Sequence, residues 1–188
     1  MKRVCVFCGS SAGVRQDYAN AARGLAVALA RRGLELVYGG GNVGLMGVLA
    51  DSMLHAGGQV IGVIPQSLVA REVAHHGVSE LRIVETMHQR KALMCELSDA
   101  FIALPGGFGT LDEFFEILTW SQLGIHGKPS GLLNVSGYYD ALLAMLDHAV
   151  VERFLRPTHR ELVIADTDAE ALLKRLGSCP TFRPGSSE

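Results

Sequence analysis

The sequence predicts an α/β fold, a Rossmann-like doubly wound and mainly parallel sheet with helices on both faces. Three observations lead to it. Short apolar runs typical of strands alternate along the chain with stretches that have the hydrophobic spacing of helices. The length of 188 residues is about that of one domain with a sizeable core. Glycine clusters follow several of the apolar runs, and the 22 glycines exceed the roughly 7% of average usage.

The first predicted unit joins the strand RVCVFCG to a helix over residues 16–32, where Ala19, Ala22, Leu25, Ala26 and Leu29 recur at helical spacing. The later predicted strands are, in order, LELVYGG, QVIGVIP, LRIVE, AFIALP, SGLLNV and ELVIAD. A loop follows QVIGVIP, and the other five runs precede predicted helices over residues 45–56, 88–97, 111–123, 138–153 and 169–176. We expect a single nucleotide-binding domain over residues 1–180 and a flexible tail over residues 181–188.

Charge and hydropathy exclude several classes of protein. The net charge of −2 and the isoelectric point of about 6.4 give no basic surface for nucleic acid or an anionic membrane. The longest uncharged stretch, residues 52–70, contains three glycines, a proline and two glutamines, so it is not typical of a membrane span. The apolar run near the start is too short for a signal peptide. We therefore expect a soluble cytoplasmic protein that binds neither nucleic acid nor membranes.

The four cysteines do not form a metal-binding or redox pattern. Cys5 and Cys8 lie in a predicted strand, where positions i and i+3 point to opposite faces. This geometry argues against a CxxC zinc or thiol–disulfide site. We expect the cysteines to be small buried hydrophobic residues and expect no metal site.

Glycine clusters at residues 9–13, 39–44 and 106–109 fall at the carboxyl ends of three predicted strands. In doubly wound sheets this edge binds ligands, so the clusters are expected to converge on one site. Residues 39–44, GGGNVG, match the dinucleotide fingerprint, but they follow the second strand and no acidic residue stands about twenty positions later. A P-loop motif is also absent from the sequence. The clusters therefore favour a glycine-rich cradle for one phosphate.

The segment TMHQRKALM, residues 86–94, places two cations at the start of a helix. Thr86 begins a predicted capping box, and Arg90 and Lys91 follow in the first turns, where the helix dipole disfavours positive charge. Such cations need an anionic partner. The partner is either a surface carboxylate, Glu85 or Glu96, or a ligand whose phosphate or ribose oxygens suit the planar fork of Arg90.

The segment FIALPGGFGTLDEFFEIL, residues 101–118, places two carboxylates after a glycine-rich turn. Thr110 and Glu113 have capping-box spacing, so the Glu113 carboxylate could bond the Thr110 amide. Alternatively, a phosphate occupies the free amides of the turn, and Glu113 stabilises positive charge at a sugar carbon or orients a water. The sequence leaves both interpretations open.

Four segments together resemble the LOG ("lonely guy") family of phosphoribohydrolases. They are PGGFGTLDE (residues 105–113, of the form PGGxGTxxE), MHQRK (87–91), CGSS (8–11) and YGGGNVGLMG (38–47). The resemblance implies a Rossmann-like homodimer that hydrolyses the N-glycosidic bond of a nucleoside 5′-monophosphate whose base is adenine or an N6-modified adenine. The products would be the free base and ribose 5-phosphate, and no cofactor is implied.

The resemblance also implies the site residues. Arg90 and Glu113 would be catalytic. The residues expected to contact the substrate are Glu72, Lys91, Gly106, Gly107, Phe108, Gly109, Thr110, Asp112, Ser10, Gly40 and Gly41. The family's TLEE is TLDE here, which shortens the acid at position 112 and leaves the motif glutamate intact.

Two other functions are weighed against this one. Members of the family have been labelled lysine decarboxylases, which would need pyridoxal phosphate on one of only four lysines, Lys2, Lys91, Lys128 and Lys174. A non-catalytic nucleotide-binding or carrier protein could use the same phosphate cradle without hydrolysis. The presence of both Arg90 and Glu113 favours the enzyme.

Overall fold

The computed structural model of the chain describes residues 1–69 and 74–179. Within these residues seven strands form one sheet: β1 (Arg3–Phe7), β2 (Glu35–Tyr38), β3 (Val60–Pro65), β4 (Glu80–Val84), β5 (Ala100–Ala103), β6 (Ser130–Leu133) and β7 (Val163–Asp166). The α-helices of the described part are α1 (Gln16–Arg31), α2 (Gly44–His55), α3 (Met87–Leu97), α4 (Phe108–Gln122), α5 (Asp140–Val151), α6 (Pro157–Arg160) and α7 (Ala169–Ser178). Two short 3-10 helices span Gln66–Leu68 and Val135–Gly137.

The strand order is β4-β3-β2-β1-β5-β6-β7, and every pair of neighbouring strands is parallel. The chain builds the sheet outward from β1 to β4, then returns to the other side of β1 with β5. The order therefore reverses between β1 and β5, which is the topological switch point at which doubly wound sheets bind ligands. The predicted Rossmann-like class is confirmed.

Two apolar cores cover the two faces of the sheet, as the predicted helices on both faces require. On one face α1, α2 and α7 pack through side chains such as Leu25, Leu49 and Leu172. On the other face α3, α4 and α5 pack through Met94, Phe114 and Leu146. Parallel strands buried on both faces have near-continuous apolar sequences, which explains why central strands such as β1, β3 and β5 could be predicted from the sequence.

Most element boundaries fall within two residues of those predicted, and the start of α4 differs. The hydrophobic spacing predicts a helix from residue 111, and the helix begins instead at Phe108. The helix includes Gly109, whose low helix propensity is a weak preference that tertiary packing overrides. The helix predicted over residues 138–153 corresponds to α5, which follows the 3-10 helix Val135–Gly137, and α6 was not predicted. The tail predicted over residues 181–188 lies outside the described residues.

Two negative findings apply to the described residues. Within residues 1–69 and 74–179, no helix is both long and apolar enough to cross a bilayer. The same residues contain no group of three or more histidine, cysteine, aspartate or glutamate side chains that could hold a metal ion.

Candidate active site

A cavity of about 250 Å³ lies at the carboxyl ends of the strands beside the switch point. It is lined by the end of β1, the turn after β2, and the first turns of α3 and α4. The lining residues are Val6, Phe7, Cys8, Gly9, Ser10, Gly39, Met46, Leu68, Met87, Arg90, Gly107, Phe108, Gly109, Thr110, Asp112 and Glu113.

The glycine clusters meet here because their backbones touch. The amide of Gly9 donates to the carbonyl oxygen of Pro105 at 3.1 Å, and the carbonyl oxygen of Gly9 accepts from the amide of Leu45 at 3.0 Å. A Cβ at Gly106 would overlap the Thr110 side chain and lie 2.8 Å from the Gly9 amide nitrogen. Only glycine permits this approach, so the predicted convergence of the three clusters is confirmed.

The amino terminus of α4 opens onto the cavity. Gly107 is its N-cap residue and supplies no side-chain cap, and residues 107–110 all line the cavity. The first amides of a helix have no intrahelical acceptor, and with the helix dipole they form a ready site for an anion. Thr110 lies inside the first turn and is not the N-cap. The interpretation of Thr110 and Glu113 as a capping box is therefore wrong, because the helix starts earlier than its sequence suggests.

Arg90 is buried beneath the cavity and tied to two neighbouring strands. Its side chain retains only 6% of its exposure. The Nε group donates to the Val63 carbonyl oxygen at 3.1 Å, and Nη2 donates to the Gly39 carbonyl oxygen at 3.0 Å. A Cβ at Gly39 would overlap the guanidinium, so glycine at this position makes room for the arginine. Arg90 is consequently oriented by the protein itself.

Glu113 lies close to Arg90 in the lining of the same cavity. Its Oε1 lies 3.8 Å from Arg90 Nη1, and its side chain is 10% exposed. Burying one charge without a partner is expensive, and here the opposite charges compensate one another. The structure thus places a fixed guanidinium and a buried carboxylate beside a helix amino terminus in one small cavity.

Lys91 does not line this cavity and instead contacts two carboxylates of α4. Its Nζ lies 3.1 Å from Asp112 Oδ2 and 3.0 Å from Glu116 Oε2, both on α4. Burial lowers the pKa of Lys91, and the hydrogen bonds and charges of the two carboxylates outweigh that effect, so the pKa stands above its ordinary value. The sequence left two partners open for Arg90 and Lys91, a surface carboxylate or a ligand. The first alternative, Glu85 or Glu96, is wrong, because the carboxylates paired with these cations are on α4.

The capping box predicted at the start of α3 is confirmed. The Thr86 hydroxyl accepts from the Gln89 amide at 3.1 Å, and the Gln89 side chain accepts from the Thr86 amide at 3.3 Å. This cap fixes the start of α3 at Met87, and Arg90 therefore lies in the first turn of the helix.

Three of the cysteines are buried, as expected, and Cys179 is half-buried. Cys5 packs in the core on one face of the sheet and Cys8 in the core on the other, as strand geometry requires. Cys8 also lines the cavity. Burial, followed by the negative charge of Glu113, raises the pKa of the Cys8 thiol well above its ordinary value, which suppresses its reactivity.

The cavity gathers most of the predicted site residues. Besides Arg90 and Glu113 it is lined by Ser10, Gly107, Phe108, Gly109, Thr110 and Asp112. Gly106 lines an adjoining cavity of about 300 Å³, which shares Ser10 and Gly107 with the first. The contacts of these residues with a substrate stay predictions.

Three predicted residues lie outside both cavities, and one is not described. Lys91 forms the ion pairs given above. Gly40 packs against Val63 and Ile64 of β3, and its carbonyl oxygen accepts from the His75 amide at 2.9 Å. Gly41 forms a β-bridge with Ala74. Glu72 lies outside the described residues.

Several cavity residues were not predicted individually. Gly39 was seen only as part of a glycine cluster, and its contact with Arg90 joins positions 51 apart in the chain. Met46, Leu68 and Met87 line the cavity but have no chemical signature that separates them from core residues. A glycine run before a helix was the only available signal, and it could not indicate which glycine an arginine would contact.

The fold and the site define a class of protein: a doubly wound α/β domain with a glycine-rich helix amino terminus and a buried Arg–Glu pair at its switch point. A family model described as "possible lysine decarboxylase" matches residues 46–176. The chain is 53% identical over 175 residues to cytokinin riboside 5′-monophosphate phosphoribohydrolase LOG1 of Arabidopsis thaliana, covering 93% of this chain and 82% of that protein. It is 54% identical over 178 residues to the cytokinin riboside 5′-monophosphate phosphoribohydrolase of Rhodococcoides fascians, covering 94% of this chain and 90% of that protein. The chain belongs to this family, the LOG family.

Solved structures support the fold. The molybdenum cofactor carrier protein of Chlamydomonas reinhardtii matches with a TM-score of 0.71 at 22% identity, covering 95% of this chain and 99% of that one. The molybdenum cofactor binding protein of Rippkaea orientalis matches with a TM-score of 0.71 at 24% identity, covering 95% and 97%. At these identities the likeness concerns the fold alone.

Proposed function

We propose that this protein hydrolyses the N-glycosidic bond of adenosine 5′-monophosphates, including those modified at N6, and releases the free base and ribose 5-phosphate. Close relatives named as phosphoribohydrolases support a hydrolase that acts on nucleoside monophosphates. The observation that carries the proposal is the pair of Arg90 and Glu113, held 3.8 Å apart in a cavity onto which the amino terminus of α4 opens.

Each part of the site has a role in this reaction. The uncapped amides at the start of α4 bind the 5′-phosphate, which the helix dipole favours. Arg90, held by two backbone carbonyls, needs no reorganisation when it contacts the phosphate or ribose oxygens. Cleavage of the C1′–N bond passes through an oxocarbenium-like sugar, and the Glu113 carboxylate stabilises that positive charge or orients the attacking water.

The lysines do not fit a pyridoxal phosphate enzyme. All four lie in the described part of the chain, and none lines either cavity at the switch point. Lys91 is ion-paired with two carboxylates, and Lys128 donates to the Cys95 carbonyl oxygen at 2.7 Å. Lys2 lies at the opposite, amino-terminal end of β1, and Lys174 is exposed on α7. The geometry therefore favours hydrolysis over amino-acid decarboxylation.

We also propose that the protein acts in the cytoplasm as a homodimer. Support comes from α5, an apolar helix of 12 residues in which only Leu146 is buried. Met145 is 50% exposed, and Val151 at the end of the helix is 74% exposed. Such a surface is typical of an interface. Light scattering coupled to size-exclusion chromatography tests the mass in solution, and a monomer at micromolar concentration would contradict this part of the proposal.

The deciding experiment measures release of free base by chromatography after incubation with AMP and with an N6-prenylated AMP. Glu113→Gln keeps the shape of the side chain and removes its charge, so turnover should fall about 100-fold or more. Glu96→Gln makes the same chemical change on the exposed face of α3 and should leave turnover unchanged. Circular dichroism and nucleotide binding serve to show that both variants are folded.

The outcomes separate the candidate functions. Base release that depends on Glu113 supports the hydrolase and ranks the two substrates. Saturable AMP binding by the unaltered protein without release of base would instead indicate a nucleotide carrier. Unchanged turnover in Glu113→Gln would overturn the assignment of Glu113.

A further inference from the structure

We propose that Lys91 is a positioning residue for the active site. With Asp112 and Glu116 it forms an ion-pair cluster that holds α3 against α4 and so fixes the spacing of Arg90 and Glu113. The inference rests on the proposed function, and it gives Lys91 an indirect role in place of the substrate contact that the family resemblance implies.

The cluster bridges the two helices that supply the reactive groups. The Lys91 side chain is 11% exposed, and its Nζ contacts Asp112 Oδ2 at 3.1 Å and Glu116 Oε2 at 3.0 Å. Positions 112 and 116 are four apart, so they lie one above the other on the same face of α4. They flank Glu113 in the chain, so the two contacts hold the part of α4 that carries Glu113.

Arg90 and Lys91 are neighbours on α3 and connect this helix to different parts of the fold. Successive side chains of a helix are rotated by about 100°, so Arg90 and Lys91 leave α3 in different directions. Arg90 reaches the carbonyl oxygens of Val63 and Gly39 and ties α3 to the sheet. Lys91 ties α3 to α4. The distance between Arg90 Nη1 and Glu113 Oε1 depends on both connections.

The charges favour this arrangement. A cation in the early turns of α3 opposes that helix's dipole. The carboxylates of Asp112 and Glu116 supply the compensating negative charge from α4. The two carboxylates also keep the pKa of Lys91 above its ordinary value despite burial, so the ammonium stays charged throughout the neutral range.

Glu116 makes the proposal testable. Among the described residues that line either cavity at the switch point, neither Lys91 nor Glu116 occurs. Glu116 can therefore influence turnover only through the packing of α4 and its contact with Lys91. A substrate-binding lysine would not require Glu116, whereas a positioning lysine does.

The experiment compares the kcat and KM of base release in Lys91→Met, Lys91→Arg, Glu116→Gln and the double variant Lys91→Met/Glu116→Gln. Lys174→Met, an exposed lysine on α7, is the matched control. We expect Lys91→Met to lower kcat about 10- to 100-fold with KM changed by less than about threefold, since small misplacements of reacting groups have effects of this size. Glu116→Gln should lower kcat by about three- to tenfold, Lys91→Arg should retain most activity, and the double variant should match Lys91→Met.

A KM raised tenfold or more with kcat preserved in Lys91→Met, together with unchanged kinetics in Glu116→Gln, would overturn the proposal and support direct substrate contact. Hydrogen exchange of the residue range 108–116 gives a readout that needs no turnover. Lys91→Met should accelerate exchange there and Lys174→Met should not, and equal protection in both would also overturn the proposal. Failure of the proposed function has a different signature, because the unaltered protein would then release no base at all.

Discussion

Gly39→Ala tests whether the fixed orientation of Arg90 matters for function. Gly39 does not have a positive φ, so alanine is compatible with its backbone. The added methyl group would overlap the Arg90 guanidinium, whose Nη2 donates to the Gly39 carbonyl oxygen at 3.0 Å. The substitution therefore perturbs Arg90 above all, and its only other close contact among the atoms nearest the new methyl group is Met46 Sδ at 3.3 Å.

The size of the effect follows from the displaced contact. A hydrogen bond from a charged group contributes about 1.5–3 kcal/mol, and the displaced nitrogen is buried. If that energy orients Arg90 in the transition state, kcat/KM should fall roughly 10- to 100-fold, since about 1.4 kcal/mol is tenfold in rate. The same loss in the free energy of unfolding should lower the melting temperature by about 3–12 °C for a chain of this size.

The assay is release of base from AMP at a temperature well below the melting transition, so that the variant stays folded. Gly24→Ala on the surface of α1 is the matched control, because a Cβ there meets nothing within 4 Å. Gly39→Ala combined with Arg90→Ala should be no slower than Arg90→Ala alone, because Gly39 acts through Arg90. Normal kcat/KM in Gly39→Ala would refute the reasoning.

Two further predictions concern pH and thiol chemistry. His126 is held neutral, since Nε2 lies 3.0 Å from the Ile117 carbonyl oxygen and Nδ1 accepts from the Lys128 amide at 3.2 Å. Burial lowers its pKa below the ordinary 6.5, so the unfolded chain takes up a proton that the folded chain resists. The melting temperature should fall between pH 7 and pH 5, and less steeply in His126→Gln; equal slopes would contradict this. In thiol titration with Ellman's reagent, half-buried Cys179 should react in the native protein and the three buried cysteines only after unfolding. Rapid native labelling of Cys8 would show that the cavity admits reagent.

Much of the fold was predictable because its signals are local. Apolar runs and helical spacing report which side chains face a core, and each can be read within a window of a few residues. The β5 run AFIALP and the α1 pattern at Ala22 and Leu25 are examples, and both elements lie where predicted. The start of α4 was predicted three residues late, and the helix includes Gly109, a residue type with low helix propensity.

The sequence predicted most residues of the candidate site, but only part of its geometry. Arg90 and Glu113 were singled out by motif, and the glycine clusters indicated the edge of the sheet where they would meet. The partners of the charged side chains were left open between a nearby surface carboxylate and a ligand. Glu85 and Glu96 are near Arg90 and Lys91 in sequence, and the observed partners are on α4.

The sequence by itself determined the alternation of strands and helices, the carboxyl-edge location of the site, and the family to which the chain belongs. Tertiary structure alone decided that Gly39 makes room for Arg90, that the Val63 carbonyl 27 positions away anchors it, and that Lys91 bonds α4. The physical reason is the separation along the chain of the residues that carry each signal. Hydrophobic periodicity is written in consecutive residues, whereas the partner of a buried charge is set by how separate helices and strands pack, and no local pattern encodes that packing.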